Sequence, residues 1–475
     1  MLRRALSILV LAAICVAALP SRVYAADPAV VPGVVQPAVK VLADPSNSYA
    51  LYLPKNYTEQ KRWPLLLAFD PSGEGVDPVR LFQPAAEKYG FILIGSNNSQ
   101  NFMDPSASIR LLWDDFPRRF AVDPRRIYAT GFSGGARVAS GLANGCTNCL
   151  AGVILCGAGL PPEVQTPKAD VADWFLTAGT TDFNYSEILR LSDTLDARHG
   201  ATHMVFFPGP HSWMPADVAD QALAWMQLRA MVKEFIPRDK DFIAAEFTRR
   251  VDAAKALQQS GAAVAASRAY RELLNDFRAF PDVNTKDLAV QAADLLKSSE
   301  FKKDKKNEQA VLETQDRITQ QIINISSAIM ERNQPLPALT QQLESFISEI
   351  RRDRDSTHDA AHRDALARGI AGGFAFTRES ASKRMLKKDY STARDLFMAT
   401  AIIRPGPWPH YLLSQAYARM GNNKAALESL RKSVELGLKD PQLLEDGAFD
   451  RMRQDGGFKE IVARLTEAAN KPAAN

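Results

Sequence analysis

Between residues 38 and 236 the chain carries seven short apolar runs, at 49–53, 65–69, 91–94, 126–130, 153–156, 174–177 and 204–207. Amphipathic stretches near 79–89, 107–120, 135–144, 186–198 and 215–235 separate them. The run at 65–69 is ended by Asp70-Pro71-Ser72-Gly73 and that at 91–94 by Gly95-Ser96-Asn97-Asn98, residues that stop a strand and turn the chain. Strand-length apolar runs alternating with helix-length amphipathic ones predict an α/β fold: a doubly wound, mostly parallel sheet covered by helices on both faces.

Past a linker at Pro237-Arg238-Asp239-Lys240 the strand signals nearly vanish, and Ala, Leu, Lys, Glu and Gln dominate. An all-α region is predicted there, with long amphipathic helices over 300–370 broken by Pro335 and Pro337. A chain of 475 residues is too long for one ordinary core. The expected division is 38–236 for the α/β domain, 241–375 for a helical region, and 376–470 for helical repeats. In the last segment Ala393, Phe397 and Pro405 are followed by Leu413, Tyr417, Gly421, Ala426 and Leu430, and Ala426 lies 33 residues after Ala393. That spacing is similar to the tetratricopeptide period of about 34, in which small residues let two helices approach and a large one fills the gap. Thr400 stands where such repeats usually have Ala. Gly261, Ala266 and Tyr270 form a weaker match, and a generic helical bundle is the competing reading for both stretches. Such repeats suit an extended peptide or partner helix in a concave groove. Phe242, Phe247, Phe374, Phe376 and Trp408 are apolar bulk that serves either a partner or packing within the chain.

The first 25 residues read as a signal peptide: Arg3 and Arg4, an apolar run over 5–19, Pro20, and Val23-Tyr24-Ala25 as the cleavage site. The run is short for a bilayer span of about 20 residues, so cleavage rather than anchoring is expected. No later segment reads as a membrane span. The chain is therefore expected to be exported, to a periplasm or to the medium. There Cys146 and Cys149 can close a local disulfide, and Cys156, in the run AGVILCGAG, reads as a buried small hydrophobe. A net charge of +4 with no block of like charge points away from nucleic acid. No metal-ligand cluster or nucleotide loop is present, so no cofactor is expected; Gly-Glu-Gly at 73–75 lacks the Lys-Ser/Thr that a phosphate loop requires.

The chemistry is carried by Gly131-Phe132-Ser133-Gly134-Gly135, a G-x-S-x-G between an apolar strand and a small-residue helix. Such a turn exposes a strained serine hydroxyl at the sheet's C-terminal edge, and its glycines are needed because side chains there would clash. An acid and then a histidine should follow, each on a loop after a strand. His211 lies in PGPHSWMP, after the run at 204–207, whereas His199 reads as a helix end and His203 opens a strand. Asp182 follows WFLTAGTT; Asp170 and Asp173 precede that strand and fall at the wrong end of the sheet. Ser133 is thus the expected nucleophile, His211 the base and Asp182 the residue that orients it. Two oxyanion donors are needed. Gly134 N–H is one, and the other is expected from Ser72 or Gly73, because Pro71 has no N–H. Asp70 should turn away and accept loop amides.

With these residues in hand, 45–235 resembles the polyhydroxybutyrate depolymerase and feruloyl esterase group of α/β-hydrolases. The matching runs are VDPRRIYATGFSGGARVA, AGVILCGAG, TAGTTDFNY and PGPHSW. The resemblance implies cleavage of a carboxylic ester by Ser133, His211 and Asp182, and the absence of a long insertion between Gly159 and Trp174, where lids often sit, favours a soluble or chain-end ester. The chain departs from the group after the third strand, where AFDPSGEG replaces the usual His-Gly. A catalytically degenerate hydrolase whose repeats do the binding is the alternative reading. A peptidase or acyltransferase on the same residues is a further one.

Overall fold

The computed structural model describes residues 30–470, so the expected signal peptide lies outside the described residues. Eight strands form one sheet: β1 (Gln36–Lys40), β2 (Ser48–Tyr52), β3 (Trp63–Phe69), β4 (Ile92–Ser96), β5 (Val122–Phe132), β6 (Gly152–Cys156), β7 (Asp173–Gly179) and β8 (Thr202–Phe207). Their spatial order is β1-β2-β4-β3-β5-β6-β7-β8. The β1–β2 and β2–β4 pairs are antiparallel, and every pair from β4 to β8 is parallel. Strands β3, β6 and β7 are buried along their whole length, which is why they read as unbroken apolar runs. Strand β1 gave no such signal. Its sequence QPAVK buries one side chain, Val39, and its proline is tolerated because the strand lies at the sheet edge.

Helices cover both faces. α1 (Val76–Tyr89) and α5 (Ala216–Val232) bury Val79, Phe82, Leu223 and Met226 on one. On the other, α2 (Ser106–Arg119), α3 (Gly134–Gly145) and α4 (Tyr185–Ala197) bury Phe116, Ala139 and Leu195.

Two compact units divide the chain at Glu308. The first adds to the sheet the helices α6 (Lys240–Gln259), α7 (Ala263–Phe277) and α8 (Lys286–Lys297). Asp239 starts α6 by accepting the Phe242 N–H at 3.0 Å. Tyr270, Leu273 and Phe277 of α7 belong to the same core as α1 and α5. Phe242 meets Tyr89 edge-on and Phe247 meets Phe277, so these two aromatics are used in packing within the unit.

Beneath this hairpin lies a buried polar chain. Asp173 of β7 binds Arg229 of α5, and Arg229 binds Asp276 of α7, each at 3.2 Å. Asp276 also accepts from Arg250 of α6 at 2.6 Å and from the Trp225 indole at 2.8 Å. Arg250 reaches His203 Nδ1 of β8 at 3.4 Å, and Glu272 of α7 meets the same nitrogen at 2.5 Å. Burial pushes the Glu272 carboxyl up to about 8, against the pull of Arg250 and with the push of Asp276. Burial also pushes His203 well below its ordinary 6.5, and Arg250 and Arg249 push the same way, against Asp276 and Glu246. A guanidinium can only donate, so Nδ1 is an acceptor and the shared proton belongs to Glu272. Between pH 4.5 and 8 the folded chain then keeps a Glu272 proton that the unfolded chain has released. Below 6.5 the unfolded chain takes up a His203 proton that the folded chain refuses. The two effects oppose each other at acid pH. From 6.5 to about 8 only Glu272 acts, and its contribution to stability falls as pH rises. Urea midpoints measured across that window should fall in the parent and level off in Glu272→Gln; an unchanged slope in the variant would refute the assignment.

In the second unit, the remainder of α9 (Ser299–Glu331) packs with α10 (Leu336–Ser356), α11 (Ala360–Leu386) and α12 (Tyr390–Ile403). α13 (Pro407–Arg419), α14 (Asn423–Glu435) and α15 (Gly456–Asn470) follow. α11 approaches α9 closely because Gly369 and Gly373 lack side chains. A Cβ at either would lie 2.7 or 2.5 Å from Ile318 or Ile322.

Three helical hairpins, α6–α7, α11–α12 and α13–α14, share one construction. Each first helix ends at a left-handed residue, Gly261, Lys388 or Gly421 (φ 83°, 61° and 77°). In each, that residue's N–H and the next one bond back to carbonyls three and five residues earlier. Ala266, Ala393 and Ala426 lie five residues after the turn, and Tyr270, Phe397 and Leu430 four beyond them; all six are at most 1% exposed.

Candidate active site

The chain passes from β3 outward to β4, then crosses back to lay β5 on the other side of β3. Such a reversal opens a crevice at the C-terminal ends of the two central strands, where open α/β sheets bind ligands. Asp70 follows β3 there and Ser133 follows β5. Ser133 has φ 52° and ψ −118°, and α3 begins at the next residue. A non-glycine residue in that region costs about 1–3 kcal/mol and persists only where its surroundings hold it. Here the Ser133 N–H donates to the Cys156 carbonyl at 2.9 Å. The flanking glycines let strand and helix close on each other. A Cβ at Gly131 would lie 2.1 Å from the Gly135 backbone, and one at Gly135 would lie 1.9 Å from the Phe69 carbonyl oxygen.

His211 lies on the loop after β8 and Asp182 on the loop after β7. His211 Nε2 is 2.9 Å from Ser133 Oγ, and both Asp182 carboxylate oxygens are 2.9 Å from Nδ1. Asp182 is fully buried, and its Oδ1 also accepts the Asn184 N–H at 2.8 Å. The two loops are joined by Thr181, whose N–H and hydroxyl both donate to the Gly209 carbonyl. Phe132 and Phe183 flank the imidazole, with ring centroids at 4.5 and 4.2 Å. Gly157 completes the arrangement and was not anticipated. It takes φ 63°, and a Cβ there would stand 2.8 Å from Asp182 Oδ2 and 3.2 Å from His211 Nδ1. Its signal in the sequence is the Gly-Ala-Gly that ends the β6 run. The other two histidines of the first unit are elsewhere: His199 takes φ 60° at the end of α4, and His203 belongs to the buried chain.

The first unit has the α/β-hydrolase fold. No protein-family model matches the sequence, and no curated protein matches it. Among solved structures, the chain is similar to an S-formylglutathione hydrolase of Staphylococcus aureus at 14% identity and a TM-score of 0.32, over 38% of this chain and 90% of that one. It is similar to esterase 2 of Thermogutta terrifontis at 16% identity and 0.33, over 45% and 99%. It is also similar to a ferulic acid esterase at 15% identity and 0.34, over 41% and 96%.

Around Ser133, Gly134 N–H opens the first turn of α3, where amides have no carbonyl partner within the helix. The loop after β3 is arranged differently. Ser72 N–H donates to Asp70 Oδ1 at 2.8 Å, and Gly73 N–H donates to the Asp70 carbonyl at 3.1 Å. Both amides expected as second donors are therefore engaged within their own loop. Asp70, 6% exposed, turns into that loop, and its Oδ2 accepts the Trp213 indole N–H at 2.8 Å. This contact ties the loop after β3 to the loop that carries His211.

Cys156 is fully buried, with its thiol against the Ser212 carbonyl, and burial pushes that thiol up. Cys146 and Cys149 are disulfide-bonded. Among the described residues no helix is long and apolar enough to cross a membrane, and no group of three or more His, Cys, Asp or Glu could hold a metal ion.

Proposed function

We propose that this chain is a serine hydrolase that cleaves carboxylic esters through an acyl-enzyme. The observation that carries the reading is the hydrogen-bonded series Ser133–His211–Asp182 at the end of a strained strand-to-helix turn. His211 Nε2 takes the Ser133 proton as Oγ attacks the ester carbonyl, and Asp182 steadies the imidazolium. The tetrahedral adduct collapses, and the alcohol leaves with the proton from Nε2. Water then gives a proton to Nε2 and attacks the acyl group, which releases the carboxylic acid and frees Ser133.

The substrate would be a small or chain-end ester. The chain has no long insertion between Gly159 and Trp174 to close over the site. Export to a periplasm or to the medium is supported by the apolar run over 5–19 and by the Cys146–Cys149 disulfide, a bond that persists in oxidising compartments. The hairpins of the second unit would be tetratricopeptide-like repeats that dock a protein partner. Their support is the shared left-handed turn and small-then-large spacing.

A second reading, a hydrolase unit without activity beside a binding region, is favoured by one observation: the engaged Ser72 and Gly73 amides. Treating the mature chain with a fluorophosphonate and mapping the adduct by mass spectrometry separates the two. The esterase reading expects a phosphonyl group on Ser133. A folded chain that takes up no label supports the second reading.

A further inference from the structure

An ester hydrolase needs two donors aimed at the developing oxyanion, and the loop after β3 supplies neither of those expected. Pro71 has no N–H, and the Ser72 and Gly73 amides are held by Asp70. The Ser72 amide cannot swing out without stranding a carboxylate that is almost completely buried and whose second oxygen is fixed by Trp213, and the Gly73 amide closes the turn on the Asp70 main-chain carbonyl.

The same loop brings in a different group. The segment after β4 runs alongside it, with an antiparallel bridge between Ser72 and Gln100, and the Asn101 N–H donates to the Pro71 carbonyl at 2.8 Å. Asn101 is thereby laid over the first residue of α3. Its Oδ1 stands 1.8 Å, and its Cγ 2.9 Å, from the point where a Cβ of residue 134 would be. Residue 134 takes an ordinary helical position, so its lack of a side chain has one visible use, which is to admit this carboxamide beside the nucleophile turn.

We propose that the Asn101 carboxamide is the second oxyanion donor, acting across from the Gly134 N–H. The inference rests on the esterase reading. A carboxamide suits this role because it is neutral and carries two N–H donors on Nδ2. Oδ1 is the atom nearer Gly134 in the resting enzyme, and a half-turn about Cβ–Cγ presents Nδ2 in its place. Asp70 then has a role as well. It locks the loop on which Asn101 is seated and keeps its own charge turned from the oxyanion.

The test compares the parent with Asn101→Ala and Asn101→Asp, using p-nitrophenyl acetate turnover and the rate of fluorophosphonate labelling. Asn101 is exposed, so both variants should keep the parent's circular dichroism. Loss of one oxyanion donor should lower kcat about 10²–10³-fold with little change in KM, and labelling should slow in parallel because the phosphonyl oxygen uses the same donors. Asn101→Asp keeps the shape but offers no donor when ionised, and should lose at least as much. A parent that turns over beside an Asn101→Ala or Asn101→Asp variant of near-parental kcat overturns this inference and leaves the esterase reading standing. A folded parent that neither turns over nor labels overturns both.

Discussion

Asparagine in place of Asp182 should lower kcat about 10⁴-fold while the fold stays intact. The effect follows from which atom faces which. Asp182 Oδ1 accepts the Asn184 N–H, so the oxygen of an asparagine is drawn to that position. The amide nitrogen then takes the Oδ2 position, 2.9 Å from His211 Nδ1, where it competes with the oxygen at the same distance for that atom. An N–H pointed at Nδ1 forces that nitrogen to be the acceptor, so the ring proton moves to Nε2. Nε2 is the atom 2.9 Å from Ser133 Oγ that must take the serine proton, and a protonated Nε2 cannot. Because Asp182 is buried and the exchange is isosteric, KM and the thermal midpoint should move little. Steady-state kinetics on an activated ester, with a melting curve for each protein, make the check. A variant within about tenfold of the parent would mean that His211 is not oriented by this residue.

How far the site could be read in advance depended on whether its determinants are local. Ser133 is flanked by glycines whose necessity is steric and adjacent in sequence, and the structure places both where a Cβ has no room. His211 and Asp182 were legible because each comes shortly after an apolar run, and the parallel order of β5 to β8 carries those loops to one edge. Strand β1 was missed because one buried side chain in five leaves no pattern to detect. The partners of Asp70 were out of reach for another reason. Trp213 lies 143 residues away, and nothing in the loop itself says that Oδ2 will be satisfied from there. Glycine at 157 also had no local explanation. Its reason is the space needed by a histidine and an aspartate from two later loops. The turns of the three helical hairpins were partly legible. Glycine marks two of them, while the third uses Lys388, whose left-handed conformation its sequence does not announce.

The same limit explains why the linker at 237–240 looked like a clean break in composition while the chain just beyond it packs into the core of the sheet and its helices. Asp276 shows how strongly. Its carboxylate, on α7, lies among the Arg250 guanidinium, the Arg229 guanidinium and the Trp225 indole, and it is 1% exposed. Asp276→Asn should destabilise the first unit by about 3–5 kcal/mol, because it removes the anion between two buried cations and leaves an amide N–H₂ facing donors. Arg229 keeps Asp173 as a partner, but Arg250, 4% exposed, is left with the more distant Glu272, the His203 ring and the face of Phe277, and with no carboxylate at hydrogen-bond distance. Five of the six tryptophans precede residue 308, so the fluorescence change in a urea titration reports chiefly on this unit. Replacing both partners, as Arg250→Met with Asp276→Leu, should recover part of the loss, since an apolar pair leaves no charge stranded between the hairpin and β8. A single variant within about 1 kcal/mol of the parent would show that the buried chain does not hold α6 and α7 to the sheet. A double variant no better than the single would place the loss in packing rather than in the unpaired arginine.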